Sequence, residues 1–171
     1  LIGRSAALFM VDEVIVYLDD PGVDQSADVD LLVPLLGYME TPQYLRRRLF
    51  GLRPELRYAG VLPPLRTPHH PLNRRVKGLK VGEYREGVTL AAKKRGVLVD
   101  IGVEKPAWVL GKLAVGRRVT VRITRIDGVV EAELATRGDV PEYWGYSVTA
   151  EELSLGEVLE GEIPTMPSEI V

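Results

Sequence analysis

The chain contains no cysteine, and His69 and His70 are its only two histidines in 171 residues. The first absence excludes disulfides, thiolate zinc sites and cysteine nucleophiles together. Two adjacent histidines do not build a strong metal site by themselves, so no metal is expected. No apolar run approaches the roughly 18 to 20 residues of a membrane span, and the basic, apolar and small-residue order of a signal peptide is missing from the start. The chain therefore reads as cytoplasmic, with no membrane partner. The P-loop, G-x-G-x-x-G, G-x-S-x-G and H-E-x-x-H signatures are absent too, which removes the familiar nucleotide, hydrolase and metalloprotease readings.

What is present is ordinary globular composition, 46% hydrophobic and 27% charged, enough for one or two domains with real cores. The net charge of −2 hides an asymmetry: residues 43–95 hold 14 Lys or Arg against three acids, whereas the last 34 residues hold eight acids and no base. Clustered cations inside an acidic chain are what a localised polyanion site looks like, since a phosphate backbone rewards local cation density. The competing reading is a charge-balanced fold whose halves attract one another.

The opening "LIGRSAALF" is helix-compatible. "VDEVIVYLDD" reads as a buried strand of a parallel sheet, and "SADVDLLVPLLGYM" as a helix capped by Ser26 or Asp28 and kinked or interrupted at Pro34. In "YMETPQYLRRRLF" the Thr41 hydroxyl is placed to cap a helix with Pro42 at its first position; Leu45, Leu49 and Phe50 share one face, and Arg46, Arg47 and Arg48 fan around the others. Arg47 is expected to be tied to a carboxylate of the fold, and Arg46 and Arg48 to reach solvent and RNA. Pro63, Pro64, Pro68 and Pro71 then mark a boundary. Five short β-rich runs follow between residues 84 and 135, with Asp127-Gly128 as a hairpin signal. They predict a small closed barrel, for which the OB-fold is the commonest five-stranded solution. Thr149 and Glu152 have the spacing of a capping box ahead of a short helix, and "GEIPTMPSEIV" reads as loop. The barrel thus interrupts an α/β layer. His69 and His70 are expected to serve structurally, and Asp19-Asp20 and Glu151-Glu152 as caps or solvated ends.

Taken together, "TPQYLR", the run from 59 to 70 ending "PHH", "YREG" at 84–87 and "YWGY" at 143–146, in this order and spacing, resemble the SPOUT-class RNA methyltransferases of archaea and eukaryotes that carry an OB-like insertion. The resemblance spans nearly the whole chain. It implies a trefoil-knotted parallel-sheet domain, residues 1–72 and 141–171, interrupted by an OB-like five-stranded barrel at 73–140. It also implies S-adenosylmethionine as methyl donor and a homodimer, which the apolar helix around residues 31–38 would serve. Arg4 matches the family's arginine in the helix before "VDEVIVY", a candidate catalytic residue that would hold a carbonyl oxygen or phosphate in its fork; a salt bridge to an acid such as Asp12 is the alternative. "EIPTMP" matches the donor-cradling loop, so Ile163, Pro164, Thr165 and Met166 are the implied cofactor contacts. Against the family pattern the sequence lacks a strand and glycine-rich turn between Glu160 and Gly161, a terminal helix and a leading strand, and so reads as a piece of that domain.

The expected activity is methylation of RNA, with ribosomal RNA and N3 of a uridine as target. Two competing readings remain: a non-catalytic RNA-binding barrel presenting Tyr84, Arg85, Lys93, Lys94 and Arg95 to a single strand, and a dimerising scaffold whose basic strip meets a partner's acidic segment.

Overall fold

A computed structural model of the chain describes residues 1–20 and 22–160. The loop reading of the last eleven residues, and the cofactor contacts expected of Ile163, Pro164, Thr165 and Met166, lie outside the described residues.

The described chain divides into two compact units. One comprises Leu1–Thr41, Leu52–Leu65 and the chain from Gly145 onward; the other comprises Pro42–Gly51 and Arg66–Trp144. The first is built on two strands, β1 (Glu13–Leu18) and β7 (Ser147–Ser154), which pair in parallel from Glu13 opposite Ser147 to Leu18 opposite Ser154. Helices α1 (Ile2–Leu8) and α2 (Ser26–Glu40) accompany this sheet, and α4 (Leu155–Glu160) follows it. Ala6, Leu36, Met39, Leu65 and Tyr146 form the core, with Val14, Val16 and Val148 half-buried against it.

Several local expectations are corrected in this unit. β1 is at most half-buried, because the described sheet offers it a single neighbouring strand. α2 runs through Pro34 without interruption; a proline ring forfeits one hydrogen bond, and the tertiary contacts of Leu36 and Met39 outweigh that loss. Neither Ser26 nor Asp28 caps α2. Gln25 holds the cap position, and Asp24 Oδ1 accepts from the Ser26 backbone N–H at 3.0 Å. Thr41 closes α2 instead of opening the next helix, its hydroxyl donating to the Gly37 carbonyl at 2.8 Å. Thr149 and Glu152 lie within β7, where pairing with β1 overrides their capping spacing. The cap falls five residues later: the Ser154 backbone N–H and hydroxyl both donate to Glu157 Oε2, at 2.9 and 2.7 Å.

The second unit holds the five expected strands, β2 (Tyr84–Lys93), β3 (Gly96–Asp100), β4 (Ala107–Leu110), β5 (Arg118–Asp127) and β6 (Val129–Ala135), closed in the order β2-β3-β4-β6-β5. Every pairing is antiparallel except β4 with β6. Alternation in the sequence supplies the core: Val97, Val99, Ala107, Val109, Val121 and Ile123 are fully buried, with Ile101 beyond the end of β3. The Asp127-Gly128 turn joins β5 to β6, Gly128 supplying a φ of 68°. β2 is long enough to serve two neighbours. Its first half pairs with β5 and its second half with β3, the two pairings meeting at Val88, and the register of the β3 pairing shifts between Thr89 and Ala91.

The helix carrying the arginine triplet, α3 (Gln43–Phe50), belongs to the barrel unit. Leu45 is fully buried and Leu49 and Phe50 half-buried, as their shared face predicts.

Candidate nucleic-acid interface

α3 is fastened to the barrel by Tyr44. Its hydroxyl donates to the Glu86 carbonyl at 2.8 Å, and its ring lies so close to Gly102 that an added Cβ there would come within 2.7 Å of ring carbons. Burial pushes the Tyr44 phenol well above its ordinary pKa, so it remains a donor across the physiological range. This anchoring reverses the expected roles within the triplet. Arg46, one position after the fully buried Leu45, is itself buried at 7% exposure and is no surface cation. Arg47, expected to be held by a carboxylate, is exposed and has no ion pair among the described residues. Arg48 is the one paired: its Nε donates to Asp100 Oδ2 at 3.0 Å while half of its side chain stays open to solvent. An exposed pair of this kind contributes about 0–1 kcal/mol, so it aims the guanidinium more than it stabilises the fold.

The "YREG" motif works internally. Glu86, 2% exposed, accepts from the Thr120 hydroxyl at 2.8 Å, from the Trp144 indole N–H at 2.5 Å and from Arg118 Nε at 2.6 Å. Arg85 was expected on the RNA face, but only 1% of its surface is open. Its Nε donates to Glu83 at 2.6 Å and its Nη1 to the Asn73 carbonyl, because its position on β2 points into the barrel's interior side. Gly87 admits no side chain: a Cβ would sit 2.4 Å from Val99 Cγ1 and 3.0 Å from the Asp100 carbonyl. Tyr84 is half-buried, edge-on to Trp144 at 6.3 Å between ring centroids. His69 is fully buried, 4.4 Å from the His70 ring and 5.8 Å from Trp144. These motifs brace the fold around a buried carboxylate, a role that periodicity alone does not reveal.

Lys93, Lys94 and Arg95 are exposed at the turn joining β2 to β3. The Gly111 N–H donates to the Arg95 carbonyl, which brings the exposed Lys112 to the same end. None of these four has a carboxylate partner among the described residues, whereas the cations of β5 do: Arg122 pairs with Glu133, and Arg125 with Asp127 and Glu131. Between α3 and the 114–117 segment lies a groove of about 670 Å³, lined by Arg47 and Arg48, by Val115 and Gly116, and by Thr89 and Asp100. Thr89 fixes the far wall. Its hydroxyl donates to the Ala114 carbonyl at 2.6 Å and accepts from the Arg117 N–H at 2.8 Å, and its backbone bonds to Gly116 and Arg117. The triplet signalled α3 in the sequence; the 114–117 wall, Thr89 and Lys112 were missed, because they lie 40 to 70 residues away and carry no motif.

In the sheet unit Arg4 is exposed on α1, and among the described residues no acid pairs with it, Asp12 included. A cleft of about 590 Å³ opens at the end of β1, beside the middle of β7, lined by Leu18, Val23, Gln25, Val29 and the Ala150 to Glu152 stretch.

Comparison with known proteins fits these observations into one line. Over 171 residues the chain is 33% identical to the 28S rRNA (uridine-N(3))-methyltransferase of Mus musculus, a match covering 86% of this chain and 43% of that protein. A Drosophila melanogaster protein of the same name is 33% identical over 86% of this chain and 35% of its own length. An uncharacterized protein of Halobacterium salinarum is 34% identical over 72% of this chain and 44% of its own. The chain thus spans less than half the length of these curated relatives. Residues 1–164 match a family described as "Putative RNA methyltransferase", and to that RNA methyltransferase family the chain belongs.

Proposed function

We propose that the protein is an S-adenosylmethionine-dependent methyltransferase acting on ribosomal RNA, with N3 of a uridine as the acceptor atom. The observation that carries the reading is the family match over residues 1–164, joined to relatives named for methylation of 28S rRNA at uridine N3. The division of labour follows the two units: the sheet unit, as a SPOUT-type knotted domain in its full-length form, binds donor and target base, and the barrel, as an OB-like module, grips RNA. The closed order with one parallel pair, β4 with β6, supports the OB-like part of this reading.

S-adenosylmethionine supplies an electrophilic methyl group when bound. Ligands of open parallel sheets sit beyond the carboxyl ends of the strands, and the cleft at the carboxyl end of β1 offers both apolar side chains, Val23 and Val29, and the carboxylates of Glu151 and Glu152 from β7, a lining suited to a base, ribose hydroxyls and a cationic amine. Ile163, Pro164, Thr165 and Met166 are proposed to complete that cradle. Transfer to a ring nitrogen depends on alignment more than on a strong nucleophile. Arg4, exposed and free of an ion pair among the described residues, is proposed to hold a carbonyl oxygen or phosphate of the target nucleotide. We place the protein in the cytoplasm as a homodimer; among the described residues no helix is long and apolar enough to cross a membrane. Exposed apolar residues at the end of α1, Leu8, Phe9 and Met10, supply a surface for such a dimer.

The test is methyl transfer by the full-length protein from labelled donor to ribosomal RNA of cells lacking the gene, with the product nucleoside identified by mass spectrometry. N3-methyluridine is the expected product. Absence of any label in RNA while the donor binds would overturn the reading. Arg4→Ala is expected to reduce transfer by about 10²-fold with an unchanged Tm.

A further inference from the structure

We infer that the groove between α3 and the 114–117 wall is a seat for the RNA backbone, with Arg47 as its phosphate contact and the Lys93-Lys94-Arg95 turn as the continuation of the track. The inference rests on the RNA-methyltransferase reading and names which surface of the barrel unit takes the RNA.

Three observations carry it. First, Arg122 and Arg125 of β5 are paired with Glu133, Asp127 and Glu131, while Arg47, Lys93, Lys94, Arg95 and Lys112, like Arg74, Arg75, Lys77 and Lys80 elsewhere in the unit, have no acidic partner among the described residues. Unneutralised cations are the ones that release counterions when a phosphate arrives. Second, the groove is held open by bonds on both sides. Tyr44 fixes α3 to Glu86 and Gly102; Thr89 fixes the opposing wall through the Ala114 and Arg117 backbone. A preformed seat spares the ordering cost of flexible surface arginines. Third, Arg48 is held to Asp100 through Nε while half of its side chain stays exposed, and it lines the same groove as Arg47. From Thr89 to Lys93 along β2 is about 13 Å, so groove and turn can engage one continuous stretch of single-stranded backbone.

The register shift between Thr89 and Ala91 lies beside the groove, whose lining includes Thr89 and Leu90. Strand β2 leaves β5 at Val88 and pairs onward with β3, and the groove lies at that change of partner. Bulges recur beside functional sites because they re-aim the strand and open its edge.

The experiment measures binding of a fluorescent twelve-nucleotide single-stranded RNA to the full-length protein across a salt series. Arg47→Ala is expected to flatten the slope of log affinity against log salt by about 0.7, the value for one phosphate contact on a single strand, and Arg47→Lys to retain it. Replacing Lys93, Lys94 and Arg95 together should flatten it by roughly two further contacts. Arg125→Ala, whose side chain is already paired, serves as the control and should leave the slope unchanged. Equal slopes for wild type and Arg47→Ala, or equal losses for Arg47→Ala and Arg125→Ala, would overturn the inference, as would preferential binding of a polyglutamate peptide over RNA. Wild-type methyl transfer, followed in parallel, separates the two failures: transfer with an unaltered Arg47→Ala slope removes this seat alone, and absence of both RNA binding and transfer removes the enzyme reading.

Discussion

The barrel unit and the sheet unit use similar residues to opposite effect. In the barrel, Val97, Val99, Val109, Val121 and Ile123 are completely withdrawn from water, because a sheet closed on itself leaves no edge and faces every second side chain inward. In the sheet unit, β1 is equally rich in Val and Ile, yet its central residues are only half-buried, and Leu1, Ile2, Leu8, Phe9 and Met10 are largely exposed. Burial is therefore decided by closure, not by composition. A closed unit is complete in itself, and an open one offers its apolar surface to whatever else binds it.

Substitutions can break this contrast. The largest effect is expected at Glu86, whose removal takes one carboxylate from Arg118 and leaves the Thr120 hydroxyl and Trp144 indole without this acceptor; Glu86→Ala should destabilise the barrel by about 3–5 kcal/mol. Both tryptophans, Trp108 and Trp144, lie in the barrel unit, so tryptophan fluorescence in a denaturant series reads that unit selectively. Next comes a matched pair: Ile123→Ala should cost the barrel about 2–5 kcal/mol, and Ile15→Ala, on half-buried β1, clearly less. Equal costs would dissolve the distinction between closed and open units. Gly87→Ala should cost about 1–3 kcal/mol through overpacking against Val99 and the Asp100 carbonyl.

The smallest effect concerns acid. Hydrogen bonds from the Ser154 hydroxyl and backbone hold the Glu157 carboxyl below its ordinary value. A carboxylate whose folded pKa is depressed contributes stability above its unfolded pKa and loses it as pH falls through the lower, folded value. The α4 cap should thus persist at pH values where a free glutamate is already protonating. NMR titration of Glu157 would show this, and Ser154→Ala, which removes the hydroxyl and keeps the backbone N–H, should raise the carboxyl part of the way back towards its ordinary value.

Much of the barrel was legible in the sequence, since alternation in five short runs and Asp127-Gly128 are local signals. The α/β unit was less so. Ser154 and Glu157 carry capping chemistry that the sequence shows, but the helix starts there because residues 147–154, Thr149 and Glu152 among them, are held in β7 by pairing with β1 across more than a hundred residues. The stretch around the arginine triplet showed α3 as a helix. Which arginine is exposed was decided by Tyr44 docking on Glu86 and Gly102, a contact 42 residues long for the hydrogen bond and invisible to periodicity.

The parallel pairing of β1 with β7 also constrains the order of folding. Glu13 and Ser147 meet across an intervening chain that contains the whole barrel. Bringing such distant segments together from a fully unfolded chain carries a loop-closure entropy that grows with the logarithm of the loop. A barrel already folded shortens that loop to its own span, acting as an internal clasp for the sheet. Its hairpins are local and its contact order lower, so they form first. The β1–β7 amides then gain protection from hydrogen exchange after those of β2 and β3, and weakening the barrel slows assembly of a sheet it need not touch.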